Sequence, residues 1–251
     1  MKLELWWDSA NEFRFQLRSP KGEPTAWVDR RHPTAEDSFT GHGVYRIELV
    51  PSHVDNGDKL LRIRFDCGKA THAQSNEWTL AIEAVRVCRA GEIHAWIERD
   101  RWRDTEFVGH DTEEMTVSVP GTADSVITVG AVEPGIPVRV GAFSSFGPTR
   151  DGRQKPDLCA PGVAVQAALH GSGDGAVATD GTSVAAPHVT GAIALLLSKA
   201  KANGAPIPTA SQIRGILTQT TMFKNPYWDR GQGFGVLDVK ALLEDGLPTL
   251  I

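Results

Sequence analysis

The stretch DGTSVAAPHVTGAIALLLSKA (residues 180–200) begins with small polar residues around glycine and passes directly into an apolar run. Ser183 stands where a turn becomes a helix. Val184, Ala185, Ala186, Val189, Ala192, Ile193, Ala194, Leu195, Leu196 and Leu197 put apolar side chains on every side of that helix, which predicts one buried all round. Its N-terminus projects unpaired backbone N–H groups and the positive end of the dipole toward Ser183. Negative charge developing on an atom near that hydroxyl is stabilised there, as acyl transfer requires. Gly181 admits backbone conformations closed to other residues and leaves room for a close approach. Pro187, about one turn in, removes a ladder bond and frees the carbonyl of Ser183. The plain alternative is that Ser183 is only an N-cap.

Outward from this helix the sequence has two grammars. Residues 1–105 read as short antiparallel strands: LELWW, EFRFQLR, VYRIELV, LLRIRFDC, WTLAIEAVRVC and EIHAWIER alternate apolar and polar residues. Turn signals separate them: SPKGEP, RRHPTAEDS, VDNGDK and RAGE. This predicts an N-terminal β-rich module, sandwich-like or jelly-roll-like. Residues 106–251 are different. DSVITVGAV (124–132) and VRVGAF (138–143) are strand-like, with the near-continuous apolar character of sheets covered on both faces, and VAVQAAL (163–169) is a further candidate strand. Helices are expected at about 183–200, 209–222 and 236–245, the second opened by a Thr209/Gln212 capping box. Strands leading into helices predict an α/β architecture with a parallel sheet and a central buried helix.

Composition narrows the function. With 41% hydrophobic and 23% charged residues, the chain can bury a core. A net charge of −5 without a basic stripe argues against nucleic acid. The longest apolar stretch, Val189 to Leu197, is shorter than the roughly 20 residues that span a bilayer, so no membrane partner is expected. No signal peptide is visible among residues 1–30, which carry Asp8, Glu12 and Arg14, and the compartment is left unassigned. Cys67, Cys88 and Cys159 lack metal-ligand spacing; each reads as a structural thiol, with a Cys67–Cys88 bridge left open. Six of the seven tryptophans lie in the first 102 residues, where they read as core anchors before sugar-stacking platforms.

GTSVAAPHVTGAIALL resembles the nucleophile segment of the subtilisin-like serine proteases, the subtilases. VPGTADSVITVGAV (119–132), FSSFGPTRDGRQKPDLCAPGV (143–163) and GQGFGVLDVKALL (231–243) look like that family's flanking elements in their usual order. The resemblance runs over about 115–245, the C-terminal half of such a catalytic domain, with residues 1–105 as a β-rich insertion. It implies a serine endopeptidase acting on polypeptide substrate, with Ser183 as nucleophile and Thr182 supporting the oxyanion. Asp180, where many relatives carry Asn, and Gly181 are the candidate substrate-binding positions. Phe146 replaces a residue that is often basic in the family. No cofactor is evident; calcium is possible by the resemblance, with Asp37, Asp55, Asp58, Asp111 and Glu113 as conceivable oxygens that read more simply as solvated loops.

A serine hydroxyl needs a base within hydrogen-bond reach. His188 lies five residues on, which on a helix rotates it roughly 140° away; in the family this histidine is structural. The family's Asp, His and oxyanion Asn motifs precede the serine. DSA at Asp8 and GHGVYRIELV at His42 are only chance echoes of the first two, and His32, His53, His72, His94, His110 and His170 lack matching context. The expectation is a fragment that lacks its catalytic Asp, His and oxyanion Asn and is inactive by itself. The missing N-terminal half then belongs to the same or a separate chain. The alternatives are one half of a split protease, or a non-catalytic binding or scaffold protein working through the β-module.

Overall fold

The computed structural model describes residues 2–39, 43–66, 77–98, 105–109, 111–223 and 227–246. The chain divides into two compact units, Met1–Gly109 and His110–Ile251.

The first unit is built from β1 (Lys2–Trp7), β2 (Glu12–Arg18), β3 (Thr34–Phe39), β4 (Gly43–Val50), β5 (Lys59–Asp66), β6 (Thr79–Arg86) and β7 (His94–Ile97). Five of these form an antiparallel sheet in the order β3-β4-β5-β1-β7, and β2 pairs with β6. Alternation sends Leu5 and Trp7 of β1, Ile47 and Leu49 of β4, and Leu61 and Ile63 of β5 inward. They share one core with Phe13, Phe15 and Leu17 of β2. Trp7 is among the buried side chains, its ring edge-on to Phe13. The turn before β5 uses Gly57 at φ +76°, a left-handed conformation that glycine adopts without strain. Strand β3 was not foreseen: TAEDSF interrupts its one core-facing row, Ala35 and Phe39, with Asp37, follows Pro33, and is held extended by pairing with β4.

The second unit contains β8 (Val129–Val132), β9 (Leu158–Pro161), β10 (Val165–Ala168), β11 (Ala176–Thr179), α1 (Thr182–Ala202), α2 (Ala210–Gln219) and α3 (Val239–Asp245). Strands β8 and β9 are parallel, while β10 and β11 form an antiparallel hairpin leading to α1. The expected strand at 138–143 shrinks to an isolated bridge, Val132 to Val140, flanked by bonds from the Gly141 amide to the Ala131 carbonyl and from the Glu133 amide to the Arg139 carbonyl. On its other side β9 is continued by residues 235–237 through its Cys159. The capping box opens α2: the Thr209 hydroxyl accepts the Gln212 amide while the Gln212 side chain accepts the Thr209 amide.

Helix α1 corrects the expectation of burial all round. Ala185, Val189, Ala192, Leu196 and Ala200 form a single buried stripe. It packs on Ala131, Leu158 and Ala160 of the strands, on Ile213 and Leu217 of α2 and on Leu242 of α3. Pro187, Thr190, Gly191, Ala194, Leu195 and Ser198 are exposed on the remaining surface. The reason is a shortage of partners: the described residues of the second unit supply elements for only one face of a helix that is apolar on all of them. By length and composition α1 would also suffice to cross a membrane, although its longest uninterrupted apolar run is short. It carries Ser183, His188, Thr190 and Ser198, and its buried stripe is packed on protein.

Candidate active site

The turn between β11 and α1 is set by glycines. Gly181, the N-cap of α1, has φ +155° and ψ +150°, and no side chain caps the helix. A Cβ on Gly181 would stand 2.9 Å from the Ser183 Oγ, so the residue there must be glycine for the hydroxyl to lie where it does. The Gly181 amide donates to the Gly162 carbonyl at 2.8 Å. Gly162 in turn has no room for a side chain: its Cβ would meet the Ala131 Cβ at 2.7 Å and the Gly181 carbonyl oxygen at 2.8 Å. Asp180 faces the same loop, its Oδ1 accepting the Ala164 amide at 2.6 Å.

These contacts place Thr182 and Ser183 in the first turn of α1. The amides of Val184 and Ala185 both donate to the Gly181 carbonyl, at 3.0 and 3.2 Å. The amides of Thr182 and Ser183 have no acceptor among the described residues, and the exposed Ser183 Oγ has no hydrogen-bond partner among them. A serine capping its own helix would accept an amide two or three residues ahead. Ser183 lies inside the helix, past the cap, with its hydroxyl unengaged beside two free donors and the positive end of the dipole.

His188 points elsewhere: its Nδ1 donates to the Val184 carbonyl one turn back, at 3.0 Å. His170 lies exposed in the β10–β11 turn. Three histidines approach carboxylates, namely His32 near Asp29, His53 near Asp55 and His94 near Glu92, and all three belong to the first unit. His42, His72 and His110 lie outside the described residues, as do Trp102 and Cys67; the Cys88 sulfur is free and exposed. Among the described residues of the second unit, no histidine pairs with a carboxylate. No three His, Cys, Asp or Glu side chains among the described residues come together as a metal site. The oxygens named from sequence therefore do not fit a calcium ion as a group.

Sequence reasoning missed the support beneath the site. The carboxylate of Asp157 is fully buried and accepts the Lys155 ammonium at 2.8 Å, the Thr128 amide at 2.7 Å and the Arg214 guanidinium from α2. Lys155 is itself buried and also donates to the Val126 carbonyl. One carboxylate thus ties β8, β9 and α2 together beneath α1. The signal was present as KPD within FSSFGPTRDGRQKPDLCAPGV, but the Thr128 and Arg214 partners of Asp157 lie 29 and 57 residues away.

Comparison with known proteins agrees with this architecture. The extracellular basic protease of Dichelobacter nodosus is 32% identical over 138 residues, covering 53% of this chain and 21% of that protein. Subtilisin amylosacchariticus of Bacillus subtilis subsp. amylosacchariticus is 37% identical over 134 residues, covering 53% of this chain and 30% of that protein. The structure of the CspB protease of Clostridium perfringens superposes with a TM-score of 0.76 at 22% identity, covering 97% of this chain and 52% of that one. The likeness in fold therefore takes in both units, and the chain spans less than a third of those two sequence relatives and about half of the CspB chain. The sequence profile of the Subtilase family matches residues 67–235, more than half of the chain and starting upstream of the motifs first noticed. This chain belongs to the subtilase family.

Proposed function

We propose that this chain is the nucleophile-bearing portion of a subtilisin-like serine endopeptidase. Ser183 Oγ attacks the scissile carbonyl and forms an acyl-enzyme. The free amides at the start of α1 and the Thr182 hydroxyl donate to the oxyanion as it develops. The base, its orienting carboxylate and the oxyanion Asn come from an upstream half, in the same or a separate chain, and residues 1–105 form a sandwich-like insertion. The observation that carries this reading is the Ser183 hydroxyl itself, open and unbonded inside the first turn of an uncapped helix. The exposed apolar face of α1 supports the second part, because a helix of that composition is stable when both faces are covered.

The test joins this chain to its upstream half, by fusion or co-expression. The assembled protein is expected to cleave polypeptide and to react with a fluorophosphonate at Ser183. Ser183→Ala should lower kcat about a thousandfold or more. The 251-residue chain alone should not be labelled. Undiminished activity in Ser183→Ala would overturn the nucleophile assignment, whereas an assembled protein that cleaves nothing yet binds a partner through residues 1–105 would favour a binding or scaffold protein.

A further inference from the structure

Asp180 was read from sequence as a candidate substrate-binding position; its bonding points to another role. Its Oδ1 is engaged by the Ala164 amide at 2.6 Å, a charge-assisted bond. Ala164 has φ +53°, the left-handed region that an alanine enters only when something holds it there. One residue after Asp180 and two before Ala164, the Gly181 amide donates to the Gly162 carbonyl at 2.8 Å. The end of β9 and the approach to α1 are therefore clasped by one side-chain bond and one main-chain bond. The Gly181 carbonyl then accepts the amides of Val184 and Ala185, which fixes where the helix starts. None of these bonds uses the Ser183 hydroxyl or the amides of Thr182 and Ser183, so the clasp constrains the site and leaves its reactive groups open.

We propose that Asp180 is a positioning residue: by accepting the Ala164 amide it holds the 162–164 segment against the turn that aims the Ser183 Oγ. The role belongs to the hydrogen bond and not to the charge. A carboxylate three residues from Ser183 and aimed at the cleft would oppose an oxyanion at the same helix terminus; committed to the Ala164 amide, it is directed away. The proposal rests on Ser183 being the nucleophile, and two separate readouts keep the two ideas apart.

The first readout is hydrogen exchange at the Ala164 and Gly181 amides of the 251-residue chain, in Asp180→Ala, Asp180→Asn and Asp180→Ala/Ala164→Gly. Loss of one charge-assisted bond should speed exchange at Ala164 about tenfold or more in Asp180→Ala. Asp180→Asn, which keeps an acceptor oxygen, should stay within about threefold of the parent. The second readout is turnover by the assembled protease. Asp180→Ala should lose about a hundredfold in kcat with little change in KM, the size of effect that a displaced reacting group produces. Asp180→Asn should restore most of that, and Ala164→Gly should restore part of it by removing the left-handed strain. Unchanged exchange at Ala164 in Asp180→Ala overturns the proposal. So does an Asp180→Asn variant that keeps its protection yet loses as much turnover as Asp180→Ala, or a change confined to KM for substrates with basic side chains. An active Ser183→Ala protease would instead sink the nucleophile assignment, while the exchange data would still decide whether Asp180 holds the turn.

Discussion

At the scale of single residues, the Cys159 sulfur fills the space over Gly130 on the neighbouring strand, where an added Cβ would stand only 2.6 Å from it. Burial, and next the charge of Asp229, push its thiol up to about 12 from an ordinary 9.0. Two consequences follow from that raised value. Cys159 should resist thiol reagents in the native chain near pH 8 while the exposed Cys88 reacts, as mass spectrometry of labelled peptides will report. The unfolded thiol ionises near 9 and the folded one only near 12, so the unfolded state binds fewer protons in that interval. Stability from this group is whole below pH 9 and declines as pH rises toward 12, by up to about 1.4 kcal/mol per pH unit. Urea melts at pH 8 and pH 10 should show a smaller decline in Cys159→Ala than in the parent; equal slopes would refute the assignment. Sequence identified Cys159 only as a structural thiol, since what surrounds it comes from Gly130 and Gly231. Ser183 was legible for the opposite reason, because the residues that define its setting are contiguous with it. Asp180 stood in that same contiguous stretch, yet its partner lies 16 residues back, and spacing could not announce it.

At the scale of elements, the strands that alternate cleanly were legible and those whose extension is imposed by a neighbour were not. EFRFQLR became β2 unchanged, because Phe13, Phe15 and Leu17 share one face with the core. Strand β3 gives the core only Ala35 and Phe39, with Asp37 exposed between them, and β9 is four residues long inside a motif that carries no alternation. The α2 start was readable because a capping box is purely local. The network that joins α2 to the strands is non-local, and it makes a strong prediction. With Asp157 changed to Asn, the buried Lys155 ammonium keeps its carbonyl bond but loses its counter-charge. The expected cost is about 3–5 kcal/mol in denaturant unfolding. Adding Lys155→Met should recover a good part of it by removing the stranded charge. A single Asp157→Asn change that leaves the midpoint unmoved would mean that Asp157 is not the tie between β8, β9 and α2.

At the scale of the whole molecule, composition separated an all-strand region from an α/β region, but it could not say how much of the α/β layer the chain provides. Hydrophobic content on every side of α1 was read as burial on every side, whereas burial depends on what else is there to pack. Leu195 and Leu196 are adjacent and chemically identical, yet Leu195 is 52% exposed and Leu196 is 0% exposed. In the 251-residue chain, Leu196→Ala should cost about 2–5 kcal/mol, as large-to-small changes in a packed core do. Leu195→Lys should stay within about 0.5 kcal/mol, as a substitution on an exposed face does. The order should reverse in consequence once the upstream half is present. If the exposed face of α1 is the seat for that half, Leu195→Lys places an unpaired ammonium in the newly buried contact. Assembly should then fail, with loss of fluorophosphonate labelling at Ser183 while the chain's own melting curve stays unchanged. Normal assembly and labelling in Leu195→Lys would mean that the upstream half packs elsewhere, and the apolar surface of α1 would need a different occupant.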